Sequence, residues 1–599
     1  MSEPAPTSPP LGAEGPSLRG LVLLFGGIAL ALVILVFGWE RGLADRVPDW
    51  IADIPYDGKP WDKRQWDARL GDLTLIAGLG VLGYGVLRRF AWTQTAAFQK
   101  AVRVALILLM LAASSVYFYA RRANLPSYGH RWDTYHYLLG AKYYEELDYY
   151  GLYDCTVEAM GPQRVGNKVK VRDLRTYAMS TAKQARERID CEARFGPQRW
   201  EQFKADVEAY VGFSSARYVR DMLRDHGYNG TPFHATTAGV VANRFDVSLQ
   251  AINRAALLDV FALLAMLAVV TWAFGWKLGL VFCIYFLTNF VDRAGATGAS
   301  FLRVQWMACL GASMAMLHRK RYDWAAGLLV VSAMFNVFPV LFSLAILTKM
   351  ALEWFRTRSL REEYRRFLKV AVITTAVCGA LSVSYGNGIS NYSHFFENMA
   401  HHSQGPPNQD GTRRERIPGY GVGLKFTFLY RGEHHQKSMD FSRAKKSKQF
   451  KEIRWIYEGV AVFLVGLSLL IAIRLDDLEG SILVGFCAFF CLLGTVGYYF
   501  ACASLLVVMW QKRAASPLGT LMIALFFACN YAAHHAYVAS QSADVAHNTV
   551  MSFAWLGYLL LTLAIYGRET GLYTDLLNRI APPRYGAAAA NAAASDEAA

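Results

Sequence analysis

Charge is scarce in this chain. Asp, Glu, Lys and Arg make up 18% of its 599 residues, against roughly a quarter in an ordinary soluble protein. A soluble chain of this length builds several domains with alternating polar faces. Here the apolar residues, 54% of the total, lie in runs long enough to cross a bilayer, and mean hydropathy is positive at +0.19. Those facts exclude a soluble enzyme and a disordered regulator. Cysteine is sparse as well: nine residues are too few for a disulfide scaffold. Cys283, Cys309, Cys378, Cys487, Cys491, Cys502 and Cys529 lie in apolar runs and read as small core residues. Only Cys155 and Cys191 fall in a long polar loop. No C-x-x-C pair, P-loop or dinucleotide fingerprint occurs. What remains is an all-α polytopic membrane protein.

The net charge is +15. Membrane proteins hold extra Lys and Arg in cytoplasmic loops, so this balance needs no nucleic-acid partner. Residues 1–18, rich in Pro, Ser, Gly and Ala, are expected to be disordered. The apolar run 20–38 is too long for a signal-peptide core and reads as an uncleaved first span. A second span covers 73–88. The connection 88–103 carries Arg88, Arg89, Lys100 and Arg103 and no acid, which places it and the N-terminus in the cytoplasm. The unit 19–103 is thus an N-terminal hairpin. The span 104–120 then exits to the outer face and opens a large polar loop, 121–254, with a helix-favouring stretch at 176–225.

Further spans fall at 255–274, 278–291 and 303–317, the last ending at the basic run His318–Arg321. Residues 325–347 admit two readings. By length they make one span of about 35 Å. The following segment 349–369, however, holds seven Lys or Arg against three Glu and again looks cytoplasmic. Asn336 and Pro339 interrupt the run, and a hairpin of two half-length helices entered from the cytoplasm satisfies both observations. The span 370–387 leads to a second outer loop, 388–454. A C-terminal unit (455–567) follows, with spans at 456–474, 517–533 and 549–566 and a second tight pair at 481–511. The tail 568–599 is expected to be disordered and cytoplasmic. Short re-entrant pairs included, the total is about 12–14 membrane segments. No internal repeat is visible.

Of thirteen histidines, only His318 falls on the inner side. Ionisable groups gathered on one face point to a site there, although histidine is also tolerated at any wet interface. The densest stretch follows the third span and runs from His130-Arg131-Trp132-Asp133 through Tyr137, Gly140 and Lys142 to Tyr153. Asp133, Tyr137 and Gly140 recur at helical spacing. Most of the aromatics suit a plain interfacial belt. Asp133 differs: an acid so close to the membrane edge is expected to be desolvated, with a raised pKa and more strength as a base.

The run Asp133–Tyr153 resembles the first outer loop of the GT-C superfamily of integral-membrane glycosyltransferases, and within it the family of polyprenyl-phosphate-mannose-dependent mannosyltransferases. Three other stretches are similar: Gly227–Phe233 before the next membrane helix, Phe301–Trp306 at the start of a Gln-bearing span, and Ala325–Pro339 at a cytoplasmic hairpin. The likeness covers about residues 104–350 (within a GT-C-like core at 104–387), with weaker echoes to 567. The chain departs from the family in its N-terminal hairpin, in Asn336, Val337 and Phe338 where a Lys is usual before the hairpin Pro, and in its long 154–225 loop. The resemblance implies inverting sugar transfer from a polyprenyl-phosphate donor to a lipid or glycan acceptor on the outer face of a bacterial inner membrane, with the site towards the periplasm or exterior. It also implies Asp133 as catalytic base. Arg131, His136, Tyr137, Lys142, Arg293, Arg303, Gln305, His401 and His402 are the candidate donor- and substrate-binding residues, because cations at the headgroup level stabilise a departing phosphate. For Arg293 and Arg303, snorkelling to lipid phosphates is the plain alternative.

No metal or other cofactor is expected, since the adjacent pairs His401-His402 and His534-His535 face different ways on a helix. Cys155 and Cys191 share the outer loop, where an oxidising compartment favours a disulfide closing about 35 residues and contributing roughly 3–4 kcal/mol. A flippase or transporter for lipid-linked saccharides is the rival reading, disfavoured by nearly charge-free span centres and the lack of a repeat. A non-catalytic assembly protein in which Asp133 is structural is the other. The +6 excess of the 388–454 loop lies outside, where the positive-inside rule does not explain it and an anionic lipid-phosphate substrate does.

Overall fold

The computed structural model describes residues 16–39, 63–118, 127–289, 299–404, 421–432, 443–494, 497–540 and 544–580. Among them nine helices are long and apolar enough to cross a membrane. The chain is an all-α, multi-pass membrane protein. Of the termini expected to be disordered, 1–18 and 568–599, residues 1–15 and 581–599 lie outside the described residues. The start of the tail differs from expectation, because Leu572–Ile580 is helical.

The N-terminal hairpin consists of α1 (Leu18–Trp39) and α2 (Lys63–Leu87), and α3 (Ala96–Phe118) leads to a layer at one end of the bundle built by the expected outer loop, the outer layer. That layer holds α4 (Arg131–Thr134), a π-helical turn at Tyr135–Leu139, α5 (Gly140–Lys142), α6 (Tyr144–Leu147) and α7 (Leu152–Arg164). A two-stranded antiparallel ribbon follows, β1 (Lys170–Arg172) with β2 (Met179–Thr181). The layer then adds α8 (Ala182–Arg188), α9 (Cys191–Phe195), α10 (Pro197–Ser214), α11 (Ala216–Met222) and α12 (Pro232–Ala242). The expected helix-rich stretch 176–225 is therefore several short helices with a strand at its start. Gly196, with φ at 74°, breaks α9 from α10. Buried Tyr135, Tyr143, Tyr153, Trp200 and Phe203 centre a core separate from the transmembrane one. The Cys155–Cys191 disulfide joins α7 to α9 across 36 residues.

The spans expected at 255–274 and 278–291 are the two arms of α13 (Leu249–Thr288), which turns back where Gly275 leaves helical geometry and brings Thr271 Oγ1 within 3.4 Å of Cys283 Sγ. The 303–317 span is α14 (Gln305–His318). The ambiguous 325–347 segment is a hairpin. Helix α15 (Tyr322–Phe335) rises, the chain turns at Asn336 and Val337, and a 3₁₀ turn at Phe338–Ser343 leads into the returning α16 (Leu344–Thr357). Its two ends converge on one residue, since the Tyr322 hydroxyl and Lys349 Nζ both donate to Asp477, at 2.6 and 2.9 Å. Its apex touches the outer layer, where Thr231 Oγ1 donates to the Met334 carbonyl at 2.5 Å.

After α17 (Glu362–Val383), α18 (Ser390–Gln404) packs on the outer layer and α19 (Leu424–Leu429) follows. The 388–454 loop thus carries helices of its own, and its last residues belong to α20 (Arg443–Ala472). The second tight pair is α21 (Asp477–Leu492) with a 3₁₀ segment at Gly497–Ser504 and α22 (Leu505–Met509). Its ends also meet: Lys512 pairs with Asp476 at 2.6 Å and Arg513 with Glu479 at 2.9 Å. Helices α23 (Pro517–Ala539), α24 (Asp544–Glu569) and α25 (Leu572–Ile580) complete the chain.

The N-terminal hairpin is built into the bundle. Gly71, Gly78 and Gly85 of α2, seven residues apart, lie against His534, Phe527 and Thr520 of α23. A Cβ at Gly78 would stand 3.0 Å from that of Phe527, and one at Gly71 3.1 Å from that of His534. Small residues at heptad spacing let the two antiparallel backbones approach, which is how membrane helices gain contact without a hydrophobic driving force between them.

Candidate functional site

Asp133 is the third residue of α4, and His130 stands immediately before that helix. The carboxylate turns inward towards the loop that precedes α14. There Phe301 and Leu302 are consecutive non-glycine residues with left-handed φ, 65° and 55°. Such conformations cost about 1–3 kcal/mol each and persist where surrounding structure enforces them. Buried Asp259 is one enforcer: its carboxylate accepts from the Ser300 N–H at 2.7 Å and from Gln305 Nε2 at 3.1 Å.

The loop delivers Arg303 to Asp133. Arg303 Nη1 lies 2.5 Å from Asp133 Oδ2, each side chain 13% exposed. The same oxygen accepts from Ser300 Oγ at 3.0 Å and faces His130 Nδ1 at 3.0 Å. No donor among the described residues meets Oδ1. The Arg303 guanidinium lies over the rings of Tyr137 and Tyr498, at 4.9 and 4.5 Å. The apex aromatics of both hairpins close the floor: Phe338 packs on Trp306 at 4.7 Å and on Tyr499 at 5.6 Å.

Burial alone would raise the pKa of Asp133, which is the sequence expectation. The structure corrects it. Arg303, then His130 and the Ser300 hydroxyl, outweigh desolvation and hold the carboxyl well below the usual carboxylate range. Asp133 is therefore ionised at neutral pH, and as long as Arg303 stays on it, it is a weak base.

The other candidates separate. Tyr137 and Gln305 belong to the same neighbourhood, and one Gln305 oxygen is buried without a hydrogen bond. Arg131 turns away, donating to the Phe213 carbonyl and lying over Tyr218 at 5.0 Å. Lys142 is fully buried, paired with Asp206 at 2.7 Å and donating to the Phe245 carbonyl at 2.9 Å, so its charge is consumed inside the outer layer. His136 is a core histidine. The Gly227 N–H donates to the Tyr153 hydroxyl at 2.9 Å, that hydroxyl donates to His136 Nε2 at 2.7 Å, and His136 Nδ1–H donates to the Trp132 carbonyl at 2.8 Å. Burial depresses its pKa, which suits that neutral tautomer. His401 is buried in α18, with its ring 6.1 Å from Tyr177. Arg293 and the side chain of His402 lie outside the described residues. His534 closes a helix end through the Thr288 carbonyl at 2.8 Å, so several of the clustered histidines have structural work.

Sequence reasoning missed Ser300 and Tyr498, which carry no motif. Asp259, a lone acid near the end of an apolar run, was the one signal for the loop. Among the described residues no group of three or more His, Cys, Asp and Glu is arranged to hold a metal ion. No family model matches the chain, and no curated protein or solved structure matches it.

Proposed function

We propose that this protein is an inverting membrane glycosyltransferase of GT-C type that moves a hexose from a polyprenyl-phosphate donor to a hydroxyl of a lipid or glycan acceptor, on the outer face of a bacterial inner membrane. One observation carries the reading: a carboxylate whose Oδ2 is taken by Arg303 and Ser300, next to an arginine that lies over two tyrosine rings. Asp133 Oδ1 takes the proton of the acceptor hydroxyl as its oxygen attacks the anomeric carbon. The bond from that carbon to the phosphate oxygen breaks, and the polyprenyl phosphate departs with its electron pair. Arg303 is the cation for that phosphate. As the donor phosphate draws Arg303 off, the carboxylate loses its strongest stabilising partner and becomes a better base, so basicity rises when donor is bound.

Purified protein reconstituted in vesicles, given a radiolabelled polyprenyl-phosphate hexose and a membrane lipid extract, tests the class. Transfer of label to an acceptor with release of polyprenyl phosphate is expected. Release no faster than in protein-free vesicles overturns the class.

A further inference from the structure

A cavity of about 490 Å³ opens at the end of the bundle opposite Asp133, a size within the usual range for small-ligand sites. Helix α14 separates it from Arg303 by fourteen residues, about 21 Å. It lies where both hairpins close, and its floor is the Asp477 carboxylate. Asp477 accepts from Tyr322, Lys349, Arg361 Nη2 (3.1 Å) and Tyr364 (3.0 Å), so its charge is spent. Glu353 faces Arg361 at 3.7 Å, and Asp476 is answered by Lys512. After those pairings two lining cations remain, Lys320 and Arg356. Both are exposed, and neither has an ion-pair partner among the described residues.

We infer that this cavity binds the phosphate monoester headgroup of a membrane lipid, with Lys320 and Arg356 as its cations. Two uncompensated charges match a group that carries nearly two negative charges at neutral pH. The lipid origin follows from what flanks the rim. Trp354 and Phe355, adjacent to Arg356 on α16, are 48% and 69% exposed. The neighbouring α17 is the least buried of the nine candidate spans, at 17%, and presents Val372, Ile373 and Val377 outward. A headgroup in the cavity would therefore have acyl chains against exposed apolar surface. This site is independent of the reaction proposed at Asp133.

The test uses the full chain in phosphatidylcholine nanodiscs, titrated calorimetrically with dioctanoyl phosphatidic acid and, in parallel, with inorganic phosphate and dioctanoyl phosphatidylcholine. Saturable binding of the phosphatidic acid is expected, with free phosphate roughly tenfold weaker or more. The K320Q/R356Q variant should lose roughly tenfold in affinity or more, because two charge-assisted contacts are removed. K320R/R356K should retain binding. Unchanged affinity in K320Q/R356Q overturns the site. Equal binding of phosphatidylcholine overturns the phosphate monoester, and equal binding of free phosphate overturns the lipid.

Discussion

The Asp133–Arg303 pair makes a quantitative demand on stability. Its oxygen and nitrogen are 2.5 Å apart with both side chains 13% exposed. Removing one member of a buried pair typically costs 3–5 kcal/mol, because the survivor is left charged and uncompensated. Asp133 would keep His130 and Ser300 as partners, so Arg303→Gln belongs at the low end, about 3 kcal/mol. Asp133→Asn leaves Arg303 between two tyrosine faces and should cost about 2 kcal/mol. The double variant removes both charges and should lose only about 2 kcal/mol in all, for a coupling near 3 kcal/mol. Unfolding in mixed SDS micelles, followed by tryptophan fluorescence, measures the cycle. The folded pKa of Asp133 lies below its unfolded value of about 3.9. The contribution is thus fully present above about pH 4 and lost only as pH falls towards the folded value, so the coupling should be equal at pH 6 and pH 8. Additivity within about 0.5 kcal/mol would mean an ordinary surface pair instead of a coupled buried one.

Other perturbations follow from the same geometry. The acid limb of kcat/KM, which reports free protein, should lie below that of kcat, because bound donor competes for Arg303; coincident limbs would contradict the exchange. His234, buried, is depressed to about 4, and His136 is lowered as well. Below the unfolded value near 6.5 the unfolded chain gains protons that the folded chain excludes, so stability should fall by up to about 3 kcal/mol for His234 between pH 6.5 and 4, a slope that His234→Gln removes. Cys155→Ser with Cys191→Ser should cost roughly 4 kcal/mol from the 36-residue loop, read in the same unfolding assay. Single cysteines at Ser359 and Ser215 should be labelled from opposite faces of sealed vesicles, because one lies beyond α16 and the other in the outer layer; labelling from one face would contradict the hairpin.

The architecture was legible where local chemistry fixes it. Asn336 and Pro339 interrupt an apolar run between two basic segments, and the chain turns there because the backbone cannot continue as one helix. Cys155 and Cys191 were legible as a pair because no other cysteine shares their compartment. The fate of Lys142 was not, since Asp206 lies 64 positions away and reaches it only through the outer-layer packing. The pKa of Asp133 failed for the same reason: burial is readable from position, whereas Arg303 arrives from 170 positions downstream on a loop held by Asp259. The β1–β2 ribbon was missed because three-residue strands leave no alternating pattern to read.

Asp133 is the group proposed to take the acceptor proton. Single turnover in reconstituted vesicles, with donor binding measured on the same samples, tests it most directly. Asp133→Asn should still bind the polyprenyl-phosphate hexose but transfer it roughly 10²–10⁴-fold more slowly. Transfer at the parent rate by folded, membrane-inserted Asp133→Asn would contradict it.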